Sequence, residues 1–180
     1  MLLIVDNGSL FTGEIVRILS KSNIKNHLVP FHLVSQLDLN NFNSFILSGR
    51  QKNEQKMNAI NSKIINHAVS EEKSLLGICY GAEILATTLG GTIRKSNNTI
   101  KGLHMINIVR ANPLSEKDIQ VYQSHSYEIA KLGSQLQNFA KSNTCQYEII
   151  KHESLPIFGT QFHPEMSEGG QKVIEAFIGL

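Results

Sequence analysis

Tryptophan is absent from the 180 residues, and cysteine occurs only twice. The two thiols, Cys79 and Cys145, lie far apart and form no C-x-x-C pair. They do not make a disulfide framework, and a reducing, intracellular location is the expectation. An excess of charge of one sign is also missing: 17 basic and 15 acidic residues leave a formal net charge of +2. Such a balance gives no electrostatic ground for binding nucleic acid or a membrane surface, and neither is expected as a partner. Long hydrophobic runs are lacking too. The opening Met1-Leu2-Leu3-Ile4-Val5 meets Asp6 at once and has no basic start, unlike a signal peptide. No stretch approaches the ~20 apolar residues of a membrane span. A cytoplasmic protein is expected.

The apolar share, 41%, suffices for one sizeable core, and residues 1–180 are read as a single domain. Short apolar runs alternate with helical patterns through the first half. Leu2 to Val5, His27 to Pro30, Phe45 to Leu47 and Leu75 to Ile78 are strand candidates. Between them, Phe11 to Lys21 and Glu54 to Val69 carry apolar residues at helical spacing. A third helix runs from Tyr80 to Leu89 and stops at Gly90-Gly91. In the second half, Met105 to Val109, Ile119 to Tyr122, Tyr147 to Ile150 and Ile157 to Gln161 read as strands, and Glu168 to Ile178 as a closing helix. The pattern predicts one α/β domain with a mostly parallel central sheet and some antiparallel strands from the second half. In such sheets ligands bind at the carboxyl ends of the strands.

One cysteine sits where reactivity is expected. Cys79, in Gly77-Ile78-Cys79-Tyr80-Gly81, directly ends a buried strand and opens a helix. A sharp strand-to-helix turn presents its middle residue on a tip and needs small neighbours. The helix N-terminus favours thiolate there, and the Tyr80 N–H would point at the same spot as an oxyanion donor. Without further context, Cys79 is equally read as a small buried core residue. Cys145 lies in a polar stretch and is read as structural or incidental.

A cysteine nucleophile needs an imidazole. Of seven histidines, His163 stands at the end of the strand Ile157 to Gln161, in Phe162-His163-Pro164-Glu165. Extended residues two apart share a face, so Glu165 reaches the imidazole, and Pro164 holds His163 extended. Glu165 would then set the tautomer and stabilise the imidazolium. Taken alone, His163 is a hydrogen-bonded surface residue; beside Cys79 it becomes the base. His125, on a probable loop, is the second choice. No pair of histidines has metal-ligand spacing, so no metal site is expected.

These segments resemble the class I glutamine amidotransferase family, and within it the free-standing glutaminase subunits of the GMP synthase branch. Val5-Asp6-Asn7-Gly8-Ser9-Leu10-Phe11-Thr12 resembles the opening strand and turn, and Ile46-Leu47-Ser48-Gly49 the glycine-rich oxyanion loop. Gly77 to Gly81 and Gly159 to Glu165 match the nucleophile and histidine–glutamate motifs. The resemblance implies a flavodoxin-like three-layer sandwich, with Cys79, His163 and Glu165 as a triad that hydrolyses the glutamine side-chain amide. It implies no cofactor in this chain. Ammonia would pass to an ATP-dependent synthetase, which alone would need ATP and magnesium.

Two positions depart from the family's pattern. Its loop usually reads Gly-Gly-Pro after the serine; here it reads Gly49-Arg50-Gln51. Arg50 would have to supply the oxyanion N–H, with strain if its φ is positive, and would bring a charge to the site's mouth. The nucleophile motif continues to a substrate-holding glutamine, which is Glu83 here. An ionised carboxylate donates no hydrogen bond, so it would attract an α-ammonium and repel an α-carboxylate. Ser124, His125 and Ser126 fall where the family lines the glutamine site. Alternatives are a stand-alone hydrolase of a γ-glutamyl compound, or a non-catalytic regulatory protein on the same scaffold.

Overall fold

The computed structural model describes residues 1–180. Its first half is built from β1 (Leu2–Asn7), α1 (Thr12–Lys21), β2 (Asn26–Pro30), β3 (Ser44–Arg50), α2 (Gln55–Ser70), β4 (Ser74–Ile78) and α3 (Tyr80–Thr88). The second half adds β5 (Thr92–Ile108), β6 (Ile119–Lys131), β7 (Leu136–Lys141), β8 (Ile149–His152), β9 (Ile157–Thr160) and α4 (Glu168–Ile178). All nine strands join one sheet in the order β2-β1-β3-β4-β9-β8-β7-β5-β6.

The five strands from β2 to β9 pair in parallel. From β9 outward the pairing turns antiparallel. The expected α/β fold is present, with a larger antiparallel extension than the apolar pattern suggests.

Helices cover both faces of the parallel half, and the two-residue period of each strand explains how. In β1, Leu3 and Val5 join the cluster with Ile64, Ile65 and Leu85 of α2 and α3. Leu2 and Ile4 join the opposite cluster with Ile15, Ile18 and Leu19 of α1 and with Val173, Ile174 and Phe177 of α4. Each such buried side chain contributes about 1.5–3 kcal/mol relative to an exposed one. Strands buried on both faces are apolar throughout, as β1, β3 and β4 largely are.

The long hairpin of β5 and β6 differs. Most β5 side chains are exposed or half-buried, so it lacks the hydrophobic signature of a core strand. Its partner β6 runs through Gln123-Ser124-His125-Ser126-Tyr127. That segment reads as a loop by composition and is a strand, with Ser124 opposite Lys101 and His125 opposite Ile100. β7 has no counterpart among the expected elements, and β8 begins two residues later than expected. No helix is long and apolar enough to cross a membrane.

Candidate active site

The carboxyl ends of β3, β4 and β9 lie side by side, since β4 pairs with both neighbours. Cys79 follows β4 immediately and opens α3. Its φ of 51° and ψ of −104° lie outside the regions that L-residues prefer. Such a conformation costs on the order of 1–3 kcal/mol and persists only where the surroundings enforce it. Here Cys79 N donates to Thr160 O of β9 at 2.7 Å. The flanking glycines are also required: a β-carbon on Gly77 would lie 2.4 Å from the Gly81 carbonyl carbon, and one on Gly81 2.3 Å from Leu47 O. The Tyr80 N–H, first of its helix, has no intrahelical acceptor.

His163 is held from three sides. Its N–H donates to Tyr122 O of β6 at 2.8 Å, and its Nδ1 lies 2.8 Å from Glu165 Oε1. The edge-on Phe11 ring packs against the imidazole at 4.9 Å between centroids. Phe11 is delivered by the opening turn, where Asp6 Oδ1 accepts from Gly8 N and Thr12 Oγ1, both at 2.9 Å. His163 itself is extended, as expected. Glu165, however, reaches it from a 3₁₀ turn over Pro164–Met166, not along a continuing strand. Both side chains are buried, and the second Glu165 oxygen has no partner.

Gly49 brings the nucleophile and base candidates together. A β-carbon there would lie 2.9 Å from His163 Cε1 and 3.7 Å from Cys79 Cβ. The three residues therefore meet at one point. Burial works against an imidazolium at His163, but the adjoining Cys79 sulfur and the Glu165 carboxylate outweigh it and raise its pKa to about 10. Burial pushes the Cys79 thiol up, while His163 pulls it down. Thiolate is thus favoured only as the partner of an imidazolium.

A cleft of about 330 Å³ opens over this junction. Arg50, Cys79, Tyr80 and Glu83 line it from the parallel half, and Ser124, His125 and Ser126 from β6. Gly49, His163 and Glu165 stand behind the lining. Cys145 lies outside the site, buried in the turn between β7 and β8.

Arg50 does not project from the mouth as a free charge. Its guanidinium stacks over the Tyr80 ring at 4.2 Å, and Nη2 lies 3.9 Å from Glu83 Oε2. It also donates to Asn53 Oδ1, while Asn58 Oδ1 accepts from Tyr80 Oη at 2.8 Å. Nor is its φ positive, so the strain expected for a side chain at that position does not arise. Glu83 is buried, and its Oε1 accepts from Gln161 Nε2 at 3.2 Å. Burial raises its pKa, against the pull of Gln161, Arg50 and His163.

The sequence profile of the class-I glutamine amidotransferase family matches residues 3–179. The chain belongs to the class I glutamine amidotransferase family. It is 30% identical to a glutamine-hydrolysing GMP synthase subunit of Pyrococcus furiosus over 186 aligned residues, spanning this whole chain and 98% of that protein. The crystal structure of a Thermoplasma acidophilum protein assigned as a GMP synthase subunit superposes with a TM-score of 0.86 at 27% identity, covering 99% of this chain and 92% of that one. The crystal structure of a Thermotoga maritima glutamine amidotransferase shares the fold, with a TM-score of 0.79 at 18% identity over 99% of this chain and 82% of that one.

The amidotransferase pattern makes the missed residues intelligible. The two departures from it, Arg50 and Glu83, face each other, a pairing between the end of β3 and α3 that sequence separation hides. Gln161 lies within the histidine–glutamate motif, but nothing in the sequence ties it to Glu83. It holds Glu83, and its orientation is fixed because its oxygen accepts from Ile129 N at 3.3 Å while its nitrogen faces Tyr127 O at 3.3 Å. Phe11 reads as the start of a helix and as part of the opening turn that resembles the family's, and no periodic signal links it to His163.

Proposed function

We propose that this amidotransferase hydrolyses the side-chain amide of glutamine through Cys79, His163 and Glu165, and delivers the ammonia to a synthetase partner. The observation that carries this reading is the convergence of Cys79 and His163 at Gly49 beneath a cleft, with Glu165 on the far side of the imidazole. The Cys79 sulfur attacks the amide carbon. The resulting oxyanion takes hydrogen bonds from the N–H of Tyr80 and from the Gly49-Arg50 segment. His163 gives a proton to the leaving nitrogen, so that ammonia departs and a thioester remains. Water, deprotonated by His163, then releases glutamate and restores the thiol. Glu165 keeps the imidazole oriented and offsets its charge. No cofactor takes part in these steps; ATP and magnesium belong to the synthetase.

The relation to glutamine-hydrolysing GMP synthases supports an ATP-dependent partner that activates xanthosine monophosphate. In the cleft, Arg50 suits the α-carboxylate of an amino acid, and Glu83 competes with that carboxylate for the guanidinium. The same pair favours a second reading, a hydrolase of γ-glutamyl compounds, because it replaces neutral groups of the family pattern with two charges.

Glutamate release from glutamine by the isolated chain, with and without the ATP-pyrophosphatase partner of GMP synthase and its nucleotide, tests the first reading. Turnover that rises on adding that partner is expected. Turnover of γ-glutamyl amines but not glutamine would transfer the case to the second.

A further inference from the structure

Asn7 of β1, Ser48 of β3 and Asn61 of α2 are buried polar residues that the reaction above does not use. The two asparagines form a reciprocal amide pair. Asn61 Nδ2 donates to Asn7 Oδ1 at 2.8 Å, and Asn7 Nδ2 donates to Asn61 Oδ1 at 3.2 Å. The second hydrogen of each amide is used as well. Asn7 Nδ2 donates to Ser48 O at 3.0 Å, and Asn61 Nδ2 to Met57 O at 2.9 Å. Turning either amide over would set oxygen against a carbonyl oxygen, so both orientations are fixed. The Asn7 N–H donates to Ser48 Oγ at 2.9 Å, and Ser48 Oγ donates in turn to Gly49 O at 2.9 Å. A continuous set of contacts therefore runs from the inner face of α2 to the Gly49 carbonyl.

That carbonyl decides where the next N–H points. In a trans peptide the C=O and the N–H face opposite ways, and the chain has no cis peptide. Gly49 O is held beside Ser48 Oγ, which itself lies against the backbone of β1. β3 runs between β1 and β4. The Arg50 N–H is thus turned away from β1 and towards the side of β4, whose end carries Cys79. A bulge contributes to this turn. The pairing of β1 with β3 passes from Val5–Leu47 to Asn7–Arg50, so β3 holds one extra residue there. Successive peptides of a strand face alternate edges, and one extra residue exchanges the edges faced by those that follow. Gly49 cannot hold this direction by itself. A side chain there would strike His163, so the position needs glycine, and glycine accepts many backbone conformations.

We propose that Asn7, Ser48 and Asn61 lock the Gly49–Arg50 peptide with its N–H turned towards Cys79, so that this oxyanion donor is in place before a substrate arrives. None of the three lines the cleft. They are positioning residues, and they act through the peptide bond that Ser48 holds. A donor fixed in advance needs no reorganisation when negative charge develops on the amide oxygen. The use of the peptide in amide hydrolysis rests on the amidotransferase reading; its orientation does not.

The test compares the full-length wild type with Ser48→Ala and Asn61→Leu, by NMR and by kinetics. In the ligand-free wild type, a nuclear Overhauser effect should join the Arg50 amide hydrogen to the Cys79 β-hydrogens. Both variants should weaken it. Loss of a whole oxyanion donor lowers kcat by about 10²–10³-fold. Removing one hydrogen bond of the lock should lower kcat for glutamine by about tenfold. The KM should change by less than about twofold, since the contact acts only in the transition state. Alkylation of Cys79 by iodoacetamide creates no oxyanion and should keep its wild-type rate. A merely structural role would not produce this split between turnover and alkylation. Should Asn61→Leu fail to fold, the smaller change Ser48→Ala decides alone. An absent Overhauser effect in the wild type overturns the proposal, as does one that survives at full strength in Ser48→Ala. A kcat for Ser48→Ala within about twofold of wild type, or a loss of turnover matched by slowed alkylation, overturns it too. Failure of the wild-type chain to hydrolyse glutamine would refute the functional reading, and the Overhauser effect would then judge the lock by itself.

Discussion

Gly49→Ala probes the alignment of the proposed base directly. The added methyl carbon would stand 2.9 Å from His163 Cε1, where ordinary contacts begin near 3.4 Å. The imidazole must therefore yield by roughly 0.5 Å. It has little room to do so, being joined to Glu165 at Nδ1, tied through its backbone to Tyr122 and packed against Phe11. The Cys79 side has no such conflict, since its Cβ would be 3.7 Å away. The displacement thus separates base from nucleophile and does not carry both along. A misplacement of about 1 Å costs about a hundredfold in rate, so half of that predicts a loss of about tenfold in kcat. Overpacking should lower stability by about 1–3 kcal/mol, leaving the protein folded at room temperature. Steady-state glutamate release and thermal melting of the same preparation measure the two effects. A kcat within twofold of wild type, in a protein with a native melt, would refute the reasoning. So would a loss of activity that merely tracks unfolding.

Three further outcomes are expected. Cys79→Ala abolishes amide hydrolysis with the fold retained, and Cys79→Gly is more stable than Cys79→Ala by about 1 kcal/mol, because only glycine accepts a positive φ without cost; calorimetry of the two variants decides it. Glu83→Gln lowers the KM for glutamine severalfold, since it removes a carboxylate and frees the Arg50 charge; a higher KM would instead assign Glu83 to the α-ammonium. Because the folded protein raises His163 from 6.5 to about 10, it keeps a proton that the unfolded chain releases near 6.5. This contribution to stability is complete below pH 6.5 and is lost as pH climbs towards 10. Urea denaturation across that range should show the decline, reduced in Glu165→Gln.

The parallel half of the fold is legible because its strands are buried on both faces and write unbroken apolar runs between helical patterns. The Cys79 turn is legible for a steric reason, as only glycine fits at 77 and 81. β5 before Met105 and the whole of β7 are not, because partly exposed strands of the antiparallel half carry little hydrophobic signal. Ser124-His125-Ser126 looks like a loop because polar residues usually mean one; these are polar because they face a cleft. Arg50 and Glu83 each look anomalous when considered alone. Their distance of 3.9 Å turns two departures into one pair, and only the pairing of β3 with β4 makes that visible.

The sheet order carries a consequence for biosynthesis. β9, made after the eight other strands, inserts between β4 and β8 in the middle of the sheet, and the acceptor for the Cys79 amide belongs to it. A nascent chain ending before residue 157 holds the Cys79 sulfur but lacks the His163 imidazole, which alone pulls that thiol down. Its thiol has the weak nucleophilicity of any unactivated cysteine. Cys79 thus meets its proposed base only after the segment through Glu165 has been made and β9 has taken its place in the sheet.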